Sequence, residues 1–151
     1  MNRVHRLIYA GTAVLALSAC ETLLPGEQRD PLTSQQWHLV AIERPSQAPV
    51  NLTRSQSDRH WAQFTANGDL SLSLDCNRGN ARWYRLGEDN YGAGGGLEIG
   101  EIAATRALCP APSYGEEMAA TLPLASRYEL ANGNRTMVIV TRTARYRFSA
   151  R

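Results

Sequence analysis

The first twenty residues of the chain constrain its fold most, because they decide which part of the sequence is left to fold. Arg3 and Arg6 precede an apolar segment of eleven residues, 7–17, which is followed by Ser18-Ala19-Cys20. A basic start, a short apolar segment and small residues before a cleavage point are typical of a secretory signal peptide. Eleven apolar residues are also too few to cross a bilayer as a helix. The sequence therefore predicts that residues 1–19 are removed on export.

The end of this segment, Leu17-Ser18-Ala19-Cys20, resembles the lipobox of bacterial lipoproteins. The resemblance implies cleavage before Cys20, diacylglycerol on its thiol and an acyl chain such as palmitate on its freed amine. Several acyl chains anchor a protein stably where one is marginal. Because Glu21 stands where retained enteric lipoproteins have Asp, the resemblance favours the cell envelope, at the periplasmic face of the outer membrane. The alternative, a buried N-terminal helix with an ordinary core cysteine, explains neither the arginines nor the small residues.

Removal of the signal peptide leaves 132 of the 151 residues, which is enough for one domain with a modest core. Arg3 and Arg6 leave with it, so 14 of the 16 arginines remain against 14 carboxylates, and we expect no nucleic-acid binding. The C-terminal stretch nevertheless carries arginines without a local acid: Arg135, Arg142, Arg145, Arg147 and Arg151. Such a stretch is typical of the solvated face of a strand, and the alternative is a contact with an acidic partner or anionic headgroups.

The cysteines predict one internal pair. If Cys20 carries the lipid, Cys76 and Cys109 remain, 33 positions apart. An oxidising compartment favours a disulfide between them, which stabilises a fold by roughly 3 to 4 kcal/mol on the chain-entropy model. A redox-active pair is an alternative, although such cysteines usually lie two residues apart. Metal ligation is a weaker one, because His38 and His60 belong to no metal-binding spacing, and we expect no metal or cofactor.

Residues 20–34 predict a flexible tether, because they include two prolines, a glycine and mixed charges without a helical or strand period. From residue 35 onward the pattern is one of short strands. Leu70, Leu72 and Leu74 alternate with polar residues, and Asn67-Gly68 before them predicts a hairpin turn. Other candidate strands are 37–42, 61–65, 81–86, 97–102, 127–130, 136–140 and 145–148, with a second turn at 132–134.

One amphipathic helix of about nine residues interrupts the strands. Ser113 and Glu116 form a capping-box pair at its start. Its apolar face consists of Tyr114, Met118 and Leu122, and Pro123 ends it. Strands with short turns and one polar face favour a mainly β fold, a small antiparallel β-barrel-like meander with one short α-helix packed against it. We expect the helix to cover one end or side of the sheet, and the core to be filled rather than hollow.

Three groups of residues resemble the META domain family of bacterial envelope proteins, to which the heat-inducible HslJ belongs. They are Asp75-Cys76-Asn77-Arg78-Gly79, Ala104-Thr105-Arg106-Ala107-Leu108-Cys109-Pro110 and Tyr128-Glu129-Leu130. The likeness covers residues 35–149, and residues 35–151 are taken as the domain. It implies a small, mainly antiparallel β fold of barrel type that lipoproteins often carry. The chain departs from the family pattern at Asp75, where glycine is usual, and at Ala107-Leu108, where methionine is frequent.

The resemblance implies a non-enzymatic interaction module of the envelope, linked to the stress response or to tolerance of novobiocin-type antibiotics. Its partners would be the membrane, through the N-terminal lipid, and an envelope protein, and the domain would act as a monomer. Cys76 and Cys109 would tie the sheet to the loop before the helix. Asn77 and Thr105 are the motif residues that are candidates for a binding site, and the alternative is that they satisfy local backbone groups.

No pattern in the sequence indicates catalysis, so no catalytic residue is assigned. His38 and His60 have no triad or nucleophile-elbow spacing, and Glu116-Glu117 point in different directions on a helix. The glycine-rich residues 92–96 lack the lysine and the helix of a phosphate-binding loop, and predict a mobile loop between strands. Two other functions stay open: a barrel that binds a small ligand, and a hydrolase inhibitor that uses loop 87–96 as its probe.

Overall fold

Short strands account for most of the regular structure. The structure, a computed structural model, describes residues 30–88 and 93–151. The predicted signal peptide, Cys20 and residues 21–29 of the predicted tether lie outside the described residues. In chain order the elements are β1 (Trp37–Glu43), β2 (Val50–Asn51), α1 (Arg54–Arg59), β3 (His60–Phe64), β4 (Asp69–Leu74), β5 (Asn77–Glu88), β6 (Gly94–Ile99), β7 (Ala103–Ala104), α2 (Gly115–Thr121), a 3₁₀ helix (Leu122–Leu124), β8 (Ala125–Ala131), β9 (Thr136–Thr141) and β10 (Arg145–Ala150).

Eight of these strands close into one antiparallel barrel in the order β10-β9-β8-β6-β5-β4-β3-β1. β1 completes the ring by pairing with β10, from Trp37 opposite Ala150 to Glu43 opposite Arg145. The two-residue strands β2 and β7 pair with β1 and β5 respectively and do not belong to the ring. Closure pairs the edges that an open sheet would leave free. The predicted fold class, a mainly β antiparallel barrel, is confirmed.

The alternation in β4 supplies one wall of the core. Leu70, Leu72 and Leu74 are each 1% exposed. β4 pairs with β3 across the predicted Asn67-Gly68 turn, whose glycine has a φ of 80°. Glycine adopts this left-handed conformation without the strain that a side chain would cause. The hydrophobic period and the turn residues therefore act together to set which face of this hairpin is buried.

Large side chains fill the barrel interior. Trp37, Tyr146 and Phe148 are fully buried, and Phe64 meets Trp83 edge to face with ring centroids 5.1 Å apart. These residues belong to one buried cluster with apolar side chains from all eight strands of the ring. A barrel of about eight strands is just wide enough for side chains to fill. The interior is packed rather than hollow.

The folded domain begins earlier than the sequence pattern indicates. Leu32 is fully buried, and its carbonyl accepts a hydrogen bond from the Trp37 indole N–H at 3.0 Å. Asp30 pairs with Arg85 of β5 at 2.7 Å. The predicted tether, residues 20–34, is therefore wrong over residues 30–34. A short segment without any period can still supply one core leucine, and nothing in its local pattern reveals this.

Residues 30–88 and 93–151 contain two α-helices where the sequence predicts one. Sequence patterns miss α1 because its six residues, RSQSDR, are polar and form no apolar stripe. A capping box starts this helix: the Gln56 N–H donates to the Thr53 hydroxyl at 3.3 Å, and the Thr53 N–H donates to the Gln56 side chain at 2.8 Å. Local hydrogen bonding, rather than burial of a hydrophobic face, thus defines where α1 begins.

α2 packs on the barrel as predicted, but its N-cap is Tyr114 and not Ser113 of the predicted capping box. Tyr114 makes no side-chain capping bond. The start of α2 is set instead by packing, since a Cβ on Gly115 would lie 2.2 Å from the Leu74 carbonyl oxygen. Met118, on the predicted apolar face, is fully buried in the core. A tertiary contact therefore overrides the local capping pattern here.

The glycine-rich residues 92–96 are not wholly the mobile loop that the sequence predicts. Residues 94–96 belong to β6, while residue 92 lies outside the described residues. A Cβ on Gly96 would lie 2.7 Å from the Cβ of Leu86 on β5. β5 and β6 approach each other so closely at this point that only glycine fits, which explains the glycine at position 96.

Replacement of Gly115 by alanine tests the packing that places α2. We expect a loss of about 1–3 kcal/mol in the free energy of unfolding, because the added methyl group meets backbone atoms that cannot move aside. Urea unfolding followed by circular dichroism measures this loss. Gly100→Ala is the matched control, since a Cβ there would lie 3.5 Å from its nearest neighbour. Equal stability of the two variants would contradict this account of α2.

Candidate functional site

A disulfide joins the barrel to the segment that precedes α2. Cys76 lies in the turn between β4 and β5, and Cys109 lies 33 residues later, with Cα atoms 5.6 Å apart and an S–S distance of 1.98 Å. The predicted pairing of Cys76 with Cys109 is therefore present. Residues 105–110, which the disulfide holds against the barrel, are called the stapled loop below.

The Asn77 side chain fixes the middle of the stapled loop. Its Oδ1 accepts from the Ala107 N–H at 2.7 Å, and its Nδ2 donates to the Ala107 carbonyl at 2.9 Å. Thr105 Oγ1 donates to the same Oδ1 at 2.8 Å and accepts from the Arg78 N–H at 3.1 Å. The two predicted motif residues are thus brought together. Their polar atoms hold backbone in place, which is the structural alternative considered for them.

Leu108 is the most exposed large apolar residue of the described chain, at 96%. It lies directly between Ala107, whose N–H and carbonyl are both bound by Asn77, and the disulfide-bonded Cys109. The backbone on each side is therefore held while the leucine side chain projects into water. Sequence reasoning does not find this feature, because a leucine between short strands is ordinarily a core residue.

A surface cleft of about 650 Å³ opens beside the stapled loop, between β7 and α2. Its walls combine small or apolar side chains with one buried amide and two charged groups. The lining residues are Leu74, Asn77, Ile102, Ala103, Ala104, Thr105, Arg106, Gly115, Glu116, Ala119 and Ala120. The cleft lies outside the packed barrel, so a ligand could reach it without opening the core.

Asp75 shapes the turn that carries Cys76. Its φ is 66°, in the left-handed region where the family pattern has glycine. Its carboxylate is buried, with Oδ1 3.0 Å from Arg59 Nε and Oδ2 without a hydrogen-bond partner among the described residues. Its N–H donates to the Arg59 carbonyl at 2.9 Å. Aspartate therefore keeps the bend that glycine would give and ties the turn to the end of α1.

A polar network anchors α2 to the other side of the barrel. The Arg44 guanidinium of the β1–β2 connection donates through Nε to Glu117 Oε1 at 2.8 Å. The Tyr146 hydroxyl lies 3.2 Å from the same Oε1 and shares a short hydrogen bond with Thr121. Desolvation by burial raises the pKa of Tyr146 to about 12. The network joins the β1–β2 connection, α2 and β10, so that α2 is fixed beside the strand pair that closes the ring.

Three of the C-terminal arginines pair with acids that are distant in the sequence. Arg145 Nη2 lies 2.8 Å from Glu129, Arg147 pairs with Glu43, and Arg151 pairs with Asp58. Two other strands and α1 thus supply the carboxylates that the local sequence lacks. These contacts favour the solvated strand face over an unneutralised basic surface.

Both histidines hydrogen-bond backbone groups. His60 Nδ1 lies 2.7 Å from the Gln56 carbonyl, and its Nε2 accepts from the Tyr114 N–H at 3.2 Å. His38 contacts the Ser57 carbonyl at 3.1 Å. Within residues 30–88 and 93–151, no group of three or more potential metal ligands is present. The same part of the chain contains no helix of the length and apolar character needed to cross a membrane.

The chain matches a protein-family model, the META domain, over residues 30–151. It belongs to the META domain family. The matched range includes Leu32, which is fully buried in the core. None of the curated proteins compared matches the sequence.

Solved structures resemble this META domain in fold. An NMR structure of a protein from Burkholderia xenovorans is 18% identical, with a TM-score of 0.60, over 80% of this chain and 83% of that chain. A crystal structure of a DUF4847 family protein from Bacteroides vulgatus is 13% identical, with a TM-score of 0.54, over 78% of this chain and 93% of that chain. At these identities the likeness shows the fold alone.

The alkaline stability of the META domain tests the buried tyrosine. Unfolded tyrosine ionises near pH 10. Because the folded pKa of Tyr146 is about 12, the folded protein keeps a proton that the unfolded chain loses, and stability falls as the pH rises from about 10 to about 12. We expect a loss of roughly 2–3 kcal/mol over this range, measured by urea unfolding, which Tyr146→Phe abolishes. Tyr84→Phe, at a position that is 51% exposed, is the matched control. A Tyr146→Phe variant whose stability falls with pH as it does in the unsubstituted protein would refute the assignment.

Hydrogen exchange tests the role of Asn77. Asn77→Ala removes both hydrogen bonds to Ala107, so we expect the Ala107 amide to exchange about tenfold faster, corresponding to roughly one lost hydrogen bond. Asn80→Ala, at an exposed position on the same strand, should leave that amide unchanged. The measurement is residue-resolved exchange by NMR. Unaltered exchange at Ala107 in the first variant would mean that the disulfide alone orders the stapled loop.

Proposed function

We propose that this META domain is a non-enzymatic interaction module that binds another envelope protein through its stapled loop. The observation that carries the proposal is Leu108, which is 96% exposed although the residues on both sides of it are held. Keeping an apolar side chain in water costs free energy that burial in a partner's pocket recovers. A loop that is already ordered also loses little conformational entropy on binding.

The proposal includes a lipid anchor at Cys20 that keeps the domain at the periplasmic face of the membrane. The lipobox-like residues 17–20 support the anchor, and Glu21 supports the outer membrane. The Cys76–Cys109 disulfide fits an oxidising compartment outside the cytoplasm. The anchor confines the domain to a layer near the membrane, which raises its effective concentration toward any partner in that layer. We infer that the domain acts as a monomer, because barrel closure leaves little strand edge for pairing between copies.

We further propose that the partner belongs to the response to envelope stress or novobiocin-type antibiotics. The support for this is family membership alone. An inhibitor of hydrolases is the narrower version of the same function, in which the partner is a hydrolase. The stapled loop suits that role better than loop 87–96, because its ordered backbone presents one apolar side chain.

A small-ligand carrier is the second candidate function. The cleft of about 650 Å³ favours it, since this volume lies within the range of small-molecule sites. The packed interior argues against a ligand inside the barrel. A small molecule would therefore bind on the outside, beside Asn77 and Thr105.

Crosslinking in living cells, followed by mass spectrometry of the captured proteins, tests the proposed function. The acylated protein should capture one envelope protein reproducibly, and Leu108→Asp should lower its recovery about tenfold, equivalent to roughly 1.4 kcal/mol of binding. Leu86→Asp is the matched control, because Leu86 is an exposed leucine, at 62%, away from the stapled loop. Equal recovery from both variants would refute binding through Leu108, and no enrichment at all would favour the small-ligand carrier.

A Cys20→Ala variant, expressed in the same cells, tests the proposed lipid anchor separately. Cys20→Ala should abolish labelling by a palmitate analogue and release the protein from the membrane fraction. It should also lower partner recovery, because the domain is no longer held in the layer where the partner lies. Labelling that persists in Cys20→Ala would refute lipidation at this residue without bearing on the stapled loop.

A further inference from the structure

One wall of the cleft is the edge of a β-strand. β7 pairs with β5 at two positions, Ala104 opposite Gly79 and Ala103 opposite Asn80. The Thr105 N–H donates to the Arg78 carbonyl at 3.0 Å. Hydrogen-bonded and non-bonded pairs alternate along an antiparallel ladder. The pair of Ala104 with Gly79 is therefore a non-bonded one, and Ala104 directs its N–H and carbonyl away from β5, toward the cleft.

The opposite wall is α2, which leaves the space beside this edge open. Gly115, Ala119 and Ala120 line it with the smallest side chains available, and the volume between the walls is about 650 Å³. Leu74 and Ile102 contribute apolar surface. A strand edge that faces a helix across an apolar cleft offers two kinds of contact: main-chain hydrogen bonds on one side and side-chain burial on the other.

We propose that this cleft binds an extended segment of the partner polypeptide, which adds as a short strand along β7. The proposal rests on the proposed function and names the form in which the partner is recognised. An extended main chain presents an N–H and a carbonyl at the spacing that satisfies both groups of Ala104. The small apolar lining suits side chains such as alanine or valine.

The charged residues of the cleft indicate the net charge of the segment that it binds. Arg106 lies on one wall and Glu116 on the other, and both side chains are exposed. Opposite charges on the two walls fit a segment without strong net charge of either sign. β7 supplies only two residues, so main-chain pairing is short. Leu108 supplies a second contact, because Thr105 and Arg106 belong both to the cleft and to the stapled loop.

A cleft-filling variant tests the site in the full-length acylated protein. Ala120→Trp places an indole in the cleft from an exposed helical position, and Ala131→Trp places the same side chain at an exposed position at the end of β8. We expect Ala120→Trp to lower crosslinked recovery of the partner about tenfold and Ala131→Trp to leave it unchanged. Recovery that depends on Leu108 but not on Ala120 would overturn the cleft proposal and leave the proposed function intact.

A photocrosslinking residue at position 120 identifies what occupies the cleft. Crosslinks should map to one contiguous segment of the partner. A synthetic peptide of that segment should shift the NMR resonance of the Ala104 amide and slow its hydrogen exchange, whereas the peptide with N-methylated main chain should do neither. Crosslinks that scatter over the partner, or that join a second copy of this chain or a small molecule, would overturn the proposal. So would a peptide that leaves the Ala104 amide unaffected.

Discussion

The pairing of β1 with β10 is the constraint on which the rest of this structure depends. It joins the two ends of the domain along six residue pairs and converts a meander into a closed ring. Closure surrounds the apolar cluster on all sides, so the core needs no ligand to complete it. It also forces everything that does not belong to the ring onto the outside. α2, β7 and the stapled loop therefore lie on the outside of the barrel, which acts as their scaffold. Binding residues are commonly found in segments that a rigid scaffold positions in this way.

The stapled loop and the cleft owe their geometry to a few non-local contacts. The disulfide holds one end of the loop, the Asn77 amide holds its middle, and the Gly115 contact with Leu74 positions the helix across the cleft. Each contact connects a strand of the barrel to chain that lies about thirty to forty residues further on. These contacts hold the surface to the barrel beneath it, even though most of its residues belong to no long helix or strand.

Much of the fold could be predicted from the sequence because its causes are local. The alternation of Leu70 to Leu74 and the Asn67-Gly68 turn specify a hairpin without reference to other parts of the chain. The features that the sequence did not predict depend on contacts with residues that are distant in the sequence. Asp30 to Ser34 are held by Trp37 and Arg85, and α2 starts where Leu74 allows it. The exposure of Leu108 could not be foreseen either, because a leucine side chain gives no local sign of facing water.

The closing strand pair also bears on the export that we propose for this domain. Trp37 meets Ala150, and the Arg151 N–H reaches the Gln36 carbonyl at 3.0 Å, so the ring needs both ends of the domain before it exists. Contacts between residues so far apart in sequence form slowly. A chain threaded through an export channel amino end first holds β1 on the far side while β10 is still to come. If the domain is exported as we propose, its barrel closes only after β10 has passed through the channel.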